Sequence, residues 1–174
     1  MSIIIVIDGY NLIRQSDRLI GLEAISLEEG RMGLVSLLAD YRKIKNMPIT
    51  VVFDGWKSDN IGSSNDRVHG IDIIYSGKGD RADNVIKRMS DKMRDKIIVV
   101  TSDKDIATHV NKKGSAVIPS PEFEMKVKMT IGSEDCFNYD DEDDHEQAVG
   151  TRKKGPSKRL SKEERRKKNK LSKL

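Results

Sequence analysis

The chain has 174 residues, 36% hydrophobic and 34% charged, with aromatics at 5% and a formal net charge of +4. That is enough apolar material for one domain and leaves a polar remainder that does not pack. The single cysteine, Cys136, excludes an intrachain disulfide, no apolar run approaches the roughly 18 residues of a membrane span, and the N-terminal residues lack the basic and apolar regions of a signal peptide, so a soluble, cytoplasmic protein is expected.

Residues 3–7 are five consecutive aliphatics, the pattern of a strand covered on both faces. The run stops on Asp8-Gly9, where Gly9 and Asn11 permit a tight loop. Residues 14–26 are mixed and predict a loop-rich excursion. Leu27, Leu34, Val35, Leu37, Leu38, Tyr41 and Ile44 then recur at helical spacing, behind Ser26 as N-cap with Glu29 three residues on. Gly30 and Gly33 either weaken that helix or admit close packing against the sheet. Residues 49–53 predict a second strand, ending on Asp54-Gly55, and the Ser-, Asn-, Asp- and Gly-rich residues 57–69 an exposed loop. Residues 71–75 predict a third strand, followed by Gly77-Lys78-Gly79, Asp80-Arg81-Ala82-Asp83 and a helix through Val85, Ile86, Met89 and Met93. A fourth strand over 96–100 runs out at Thr101-Ser102-Asp103-Lys104-Asp105. A short helix over 104–112 and a fifth strand over 116–118, closed by Pro119 and Pro121, complete the series. Strands alternating with helices predict a mostly parallel sheet with helices on both faces.

The acids fall at regular places in this frame. Asp8, Asp54 and Asp103 follow directly on, or within three residues of, strand ends, and Asp80 and Asp83 open the helix after the third strand. Each alone reads equally well as a turn or helix-cap residue, and Asp105 as a first-turn surface residue. Together they differ, because a parallel sheet delivers all its strand carboxyl ends to one rim. Carboxylates gathered there repel one another unless a cation is shared, and oxygen donors without His or Cys favour Mg²⁺ or Mn²⁺. Such a rim suits hydrolysis of phosphodiesters.

Asp8-Gly9-Tyr10-Asn11-Leu12-Ile13, Val52-Phe53-Asp54-Gly55, Ala82-Asp83 and Thr101-Ser102-Asp103 resemble, in order and spacing, the NYN domains of the PIN-like nuclease superfamily, most closely the YacP-like branch with its ribosome-associated endoribonucleases. The resemblance covers about residues 1–125. It implies a PIN-like three-layer α/β/α sandwich and Mg²⁺- or Mn²⁺-dependent cleavage of single-stranded RNA, with the ribosome as a further expected partner. By position it assigns catalysis and metal binding to Asp8, Asp83 and Asp103, Asp80 or Asp105 as a fourth acid, and supporting places to Asn11, Asp54 and Ser102.

Beyond that domain, residues 126–150 form an acidic linker, with −8 concentrated in 134–150, and residues 151–174 a basic tail of +10. Both compositions predict disorder. Leu160 and Leu171 are too few to hold a helix over residues 160–171 by themselves. Arg152, Lys153, Lys154, Lys158, Arg159, Arg165, Arg166, Lys167 and Lys168 are the expected contacts to nucleic acid. The competing function is a non-catalytic RNA- or ribosome-binding factor of the same fold, against which the acids argue, since a pure RNA binder gains nothing from acids facing phosphate. A phosphatase with a strand-end nucleophile would want a second Asp where Tyr10 stands, and Gly77-Lys78-Gly79 is too short a pattern for a nucleotide cofactor.

Overall fold

The structure, a computed structural model, describes residues 3–55, 64–137 and 162–174. Six strands, β1 (Ile4–Asp8), β2 (Ile49–Phe53), β3 (Ser64–Val68), β4 (Ile71–Tyr75), β5 (Ile97–Val100) and β6 (Ala116–Ile118), form one sheet in the order β3-β4-β2-β1-β5-β6. All pairings are parallel except β3 with β4. The aliphatic runs form the middle of the sheet because each is covered twice: every residue of β2 and β5 is buried. On one face Ile5, Ile7, Val51, Phe53, Ile98 and Val100 pack under α1 (Gly9–Ile13), α2 (Asp17–Ile25), α3 (Leu27–Lys45) and α6 (Ser120–Phe137). On the other, Val6, Val52 and Val99 pack under α4 (Ala82–Met93) and α5 (Lys104–Lys112). The result is the expected three-layer α/β/α sandwich.

Four segments depart from the sequence expectation. Residues 14–26 contain a helix, α2, which buries Leu19 and half-buries Leu22. Gly30 and Gly33 admit close packing, against α2 rather than the sheet: a Cβ on Gly30 would stand 2.9 Å from Cβ and 3.0 Å from Cα of Glu23. Residues 64–68, expected in a loop, are the polar edge strand β3, turned back onto β4 through His69 and Gly70, both at positive φ; residues 56–63 lie outside the described residues.

The chain also continues past Pro121, which stands in the first turn of α6, where a missing amide costs nothing. Phe123, Val127 and Ile131, at four-residue spacing, seat α6 on the core, so the first part of the expected linker is helical to Phe137. Residues 138–161, with most of the acidic block, lie outside the described residues. Within the basic tail, Lys162–Leu171 form α7. Its apolar residues are indeed too few to fold it alone; the body supplies the rest, with Leu171 packed against the core, Leu174 buried, and the Tyr41 hydroxyl donating to the Leu174 carbonyl at 2.6 Å.

The α2–α3 contact predicts opposite outcomes for one chemical change. Gly30→Ala must push Glu23 backbone away and is expected to lower stability by ~1–2 kcal/mol, overpacking outweighing helix propensity. Gly21→Ala, on α2 with nothing within 4 Å of the added Cβ, is expected to raise it by ~0.5–1 kcal/mol. Urea unfolding of both variants checks this; equal effects would mean that α2 does not rest on α3.

Candidate active site

Strand order reverses at β1. From there the chain moves out through β2 to β4, then crosses back to place β5 on the other side of β1. The crevice at the carboxyl ends of β1 and β5 is therefore the topological switch point, where α/β sheets place ligands. Asp8 is the last residue of β1 and is 9% exposed. Its Oδ1 accepts the Asn11 amide at 3.3 Å and its Oδ2 accepts the Thr101 hydroxyl at 3.2 Å. The same hydroxyl oxygen accepts the Asp103 amide at 3.1 Å. Asp103 caps α5, its Oδ1 accepting the amides of Asp105 (2.7 Å) and Ile106 (3.2 Å). Two strand-end acids are thus held in fixed relation through one buried threonine.

Gly9 makes the turn out of β1 feasible: a Cβ there would lie 2.3–2.9 Å from the Phe53 ring. Asn11 closes a second ring of contacts. Its Oδ1 accepts the Ser102 amide (3.0 Å) and the Ser120 hydroxyl (2.7 Å), while the Ser120 amide donates to Ser102 Oγ (3.1 Å). That ring joins α1, the loop after β5 and the start of α6.

Asp54, at the end of β2, accepts the Ala82 amide at 2.7 Å across 28 residues of sequence. This bond sets the start of α4, whose first turn carries Asp83. Asp83 and Asp54 both lie close enough to raise the pKa of Asp8, but burial is the larger cause, outweighing the Asn11 and Thr101 hydrogen bonds and bringing Asp8 to about 6. Asp80 is held elsewhere: hydrogen bonds from Arg88 (2.5 Å), Asn84 (2.9 Å) and the Arg81 amide (2.9 Å) bring it down to about 2. Asp105 is 81% exposed and paired with Lys87. Lys87, absent from the sequence expectation, faces Asp105, Asp83 and Asp103, all of which raise its pKa. The Asp83-to-Lys87 spacing of four on a helix was the available signal. Thr101 stands in the Thr101-Ser102-Asp103 motif, where the sequence gives it no role of its own, and Ser120 carries no signal beyond its place before Pro121.

The acids share the rim without gathering at one point; among the described residues no group of three or more His, Cys, Asp or Glu side chains is close enough to hold a metal ion. The donor chemistry nonetheless fits a hard divalent ion, since Asp8 offers two oxygens with a remaining lone pair each, in a setting where burial and two carboxylates disfavour its charge. The basic residues lie elsewhere. Arg152, Lys153, Lys154, Lys158 and Arg159 are outside the described residues, and Arg165, Arg166, Lys167 and Lys168 lie on α7. Lys167 reaches the Asn111 carbonyl and Lys170 the Asp95 carbonyl, which places α7 beside the amino ends of β5 and β6, at the edge opposite the acids.

This fold and rim define a nuclease-like α/β domain, and the chain belongs to the YacP-like NYN domain family, whose family model matches residues 5–173. It is 29% identical over 103 residues to a Bacillus subtilis (strain 168) protein carrying the name uncharacterized protein YacP, covering 58% of this chain and 60% of that one. In structure it resembles Rae1 (YacP) from Bacillus subtilis at a TM-score of 0.64 and 25% identity, over 79% of this chain and 80% of that chain. A mutant of the same protein gives 0.65 and 24%, over 78% and 80%.

The raised Asp8 pKa carries a stability prediction. A folded-state value of about 6 against the ordinary 3.8 means that Asp8 favours the fold while protonated, below about pH 4, and loses that contribution as pH rises through about 6. Asp8→Asn cannot ionise, so its melting temperature should gain on the parent's between pH 4 and 7, by the equivalent of ~1–3 kcal/mol. A difference that does not change with pH, followed by thermal melts in one buffer series, would show that Asp8 ionisation does not strain the fold.

Proposed function

We propose that this protein is a divalent-metal-dependent endoribonuclease that hydrolyses phosphodiester bonds of single-stranded RNA in the cytoplasm, ribosome-bound RNA included. The observation that carries the reading is the buried Asp8 at the switch point, locked through Thr101 to Asp103 and within electrostatic reach of Asp83. Asp8, Asp83 and Asp103 would hold Mg²⁺ or Mn²⁺, which when bound supplies a water nucleophile at neutral pH and stabilises charge on the phosphoryl oxygens. The remaining residues have roles of their own. Asp54 places Asp83 by fixing the start of α4, and Asn11 with Ser102 and Ser120 keeps the loops after β1 and β5 from separating. Lys87 balances the acids on the α4 side and is placed to meet a phosphate that enters there. Asp80 and Asp105, tied to Arg88 and Lys87, stand at the margin.

One observation favours a second reading, a non-catalytic RNA- or ribosome-binding factor: the described acids do not gather at one point, and Lys87 already neutralises part of their charge. A labelled single-stranded RNA incubated with Mg²⁺, Mn²⁺ or EDTA separates the two. Cleavage is expected with either metal and none with EDTA. Asp8→Asn and Asp103→Asn should each cost at least ~100-fold in rate, because loss of a mere ligand-orienting partner already costs 10–100-fold. Full activity in both variants, or no cleavage by the parent with either metal, leaves the binding factor.

A further inference from the structure

The sheet edge opposite the acids carries the reverse charge. A single 3₁₀ turn before β5 (Arg94–Lys96), the Lys113-Gly114 turn before β6, and α7 enclose a cleft of about 220 Å³. Arg94, Lys113, Arg166, Lys167 and Lys170 line it against one acid, Asp95. We propose that this cleft binds phosphates of an RNA backbone, as an anchoring site separate from the acidic rim; the choice of RNA rests on the function proposed above.

Lys167 and Lys170 are engaged by the Asn111 and Asp95 carbonyls, so the two arginines are the cations that face a ligand from outside. Among the described residues no carboxylate lies within ion-pair distance of Arg94 or Arg166, although Lys113 is paired with Asp91 at 3.1 Å. Burial makes the Lys170 charge harder to keep, and the neighbouring Arg166 and Lys167 add to this, while Asp95 partly offsets it. Arg94 also adopts φ 50° and ψ −115°, backbone that suits glycine and strains a residue with a side chain. Its amide donates to the Ser90 carbonyl and its carbonyl accepts the buried Ser115 hydroxyl at 2.5 Å, so the surroundings impose that conformation while an arginine occupies it. The donors are long side chains from three separate segments. Such a strip follows a chain of single charges better than it encloses a compact ion. Strand β5, four residues and ~13 Å long, runs from the cleft side toward the acidic rim, so the two sites stand at opposite ends of one short strand.

The test reads binding in EDTA, where no cleavage is expected, by anisotropy of a labelled single-stranded RNA across a salt series. Arg94→Gly removes the guanidinium and relieves the backbone, so it is expected to melt higher than the parent while binding RNA more weakly. Arg94→Gly with Arg166→Gln is expected to weaken binding ~10-fold or more at low salt and to flatten the salt dependence by about 1.4, from about 0.7 per phosphate contact for single strands. Unchanged affinity and slope in the double variant, or no RNA binding by the parent, overturns the proposal. Displacement of the RNA by sub-millimolar inorganic phosphate would assign the cleft to a small anion, and displacement by equally low polyglutamate to an acidic protein segment; either also overturns it. A parent that binds RNA through this cleft yet cleaves none would sink the nuclease reading and leave this one standing.

Discussion

The Thr101 hydroxyl joins the two strand ends on which the rim is built. It donates to Asp8 and accepts from the Asp103 amide, so a single oxygen fixes the carboxylate of β1 against the turn that leaves β5. Everything else at the rim is placed relative to that bond. Asn11 takes its position from the Asp8 turn and secures Ser102 and Ser120; Asp54 and Asp83 face Asp8 from the other side. With β1 flanked by β2 and β5, an acid at its end has neighbours on both sides, and burial removes the water that would otherwise screen them.

The two edges of the sheet consequently differ in sign. Acids stand where strands end and helices begin, and five of the cations gather where β5 and β6 begin, three of them carried there by α7. Helix ends favour the same distribution, since Asp83 and Asp105 sit in first turns and Lys92 and Lys112 in last ones. Body and tail together therefore present a polar field across the sheet, which the formal net charge of +4 does not reveal.

What could be read from the sequence follows from where hydrophobic burial acts alone. Strands β1, β2 and β5 were legible because runs made almost wholly of apolar residues have no alternative to double coverage, and Asp8, Asp54 and Asp103 were legible as the residues that end or follow them. β3 was not, since Ser64-Asn65-Asp66-Arg67-Val68 pairs through backbone hydrogen bonds that need no apolar side chain. α2 was missed because its one buried residue, Leu19, needs the glycines of α3 to reach the core. Pro121 misled because proline fits a helix's first turn as well as a strand's end. At the rim, residue types were readable but their partners were not. Lys87 stands four residues from Asp83, but that it also faces Asp105 depends on a contact across 18 residues of sequence, and that Asp103 spends one oxygen on a cap depends on a loop angle.

The burial of Leu174 bears on how the protein can be handled. The residue is 4% exposed and its carbonyl accepts the Tyr41 hydroxyl, so residue 174 is a piece of the interior lodged against α3. A label carried by the side chain at this position would therefore disturb the interior rather than decorate the surface.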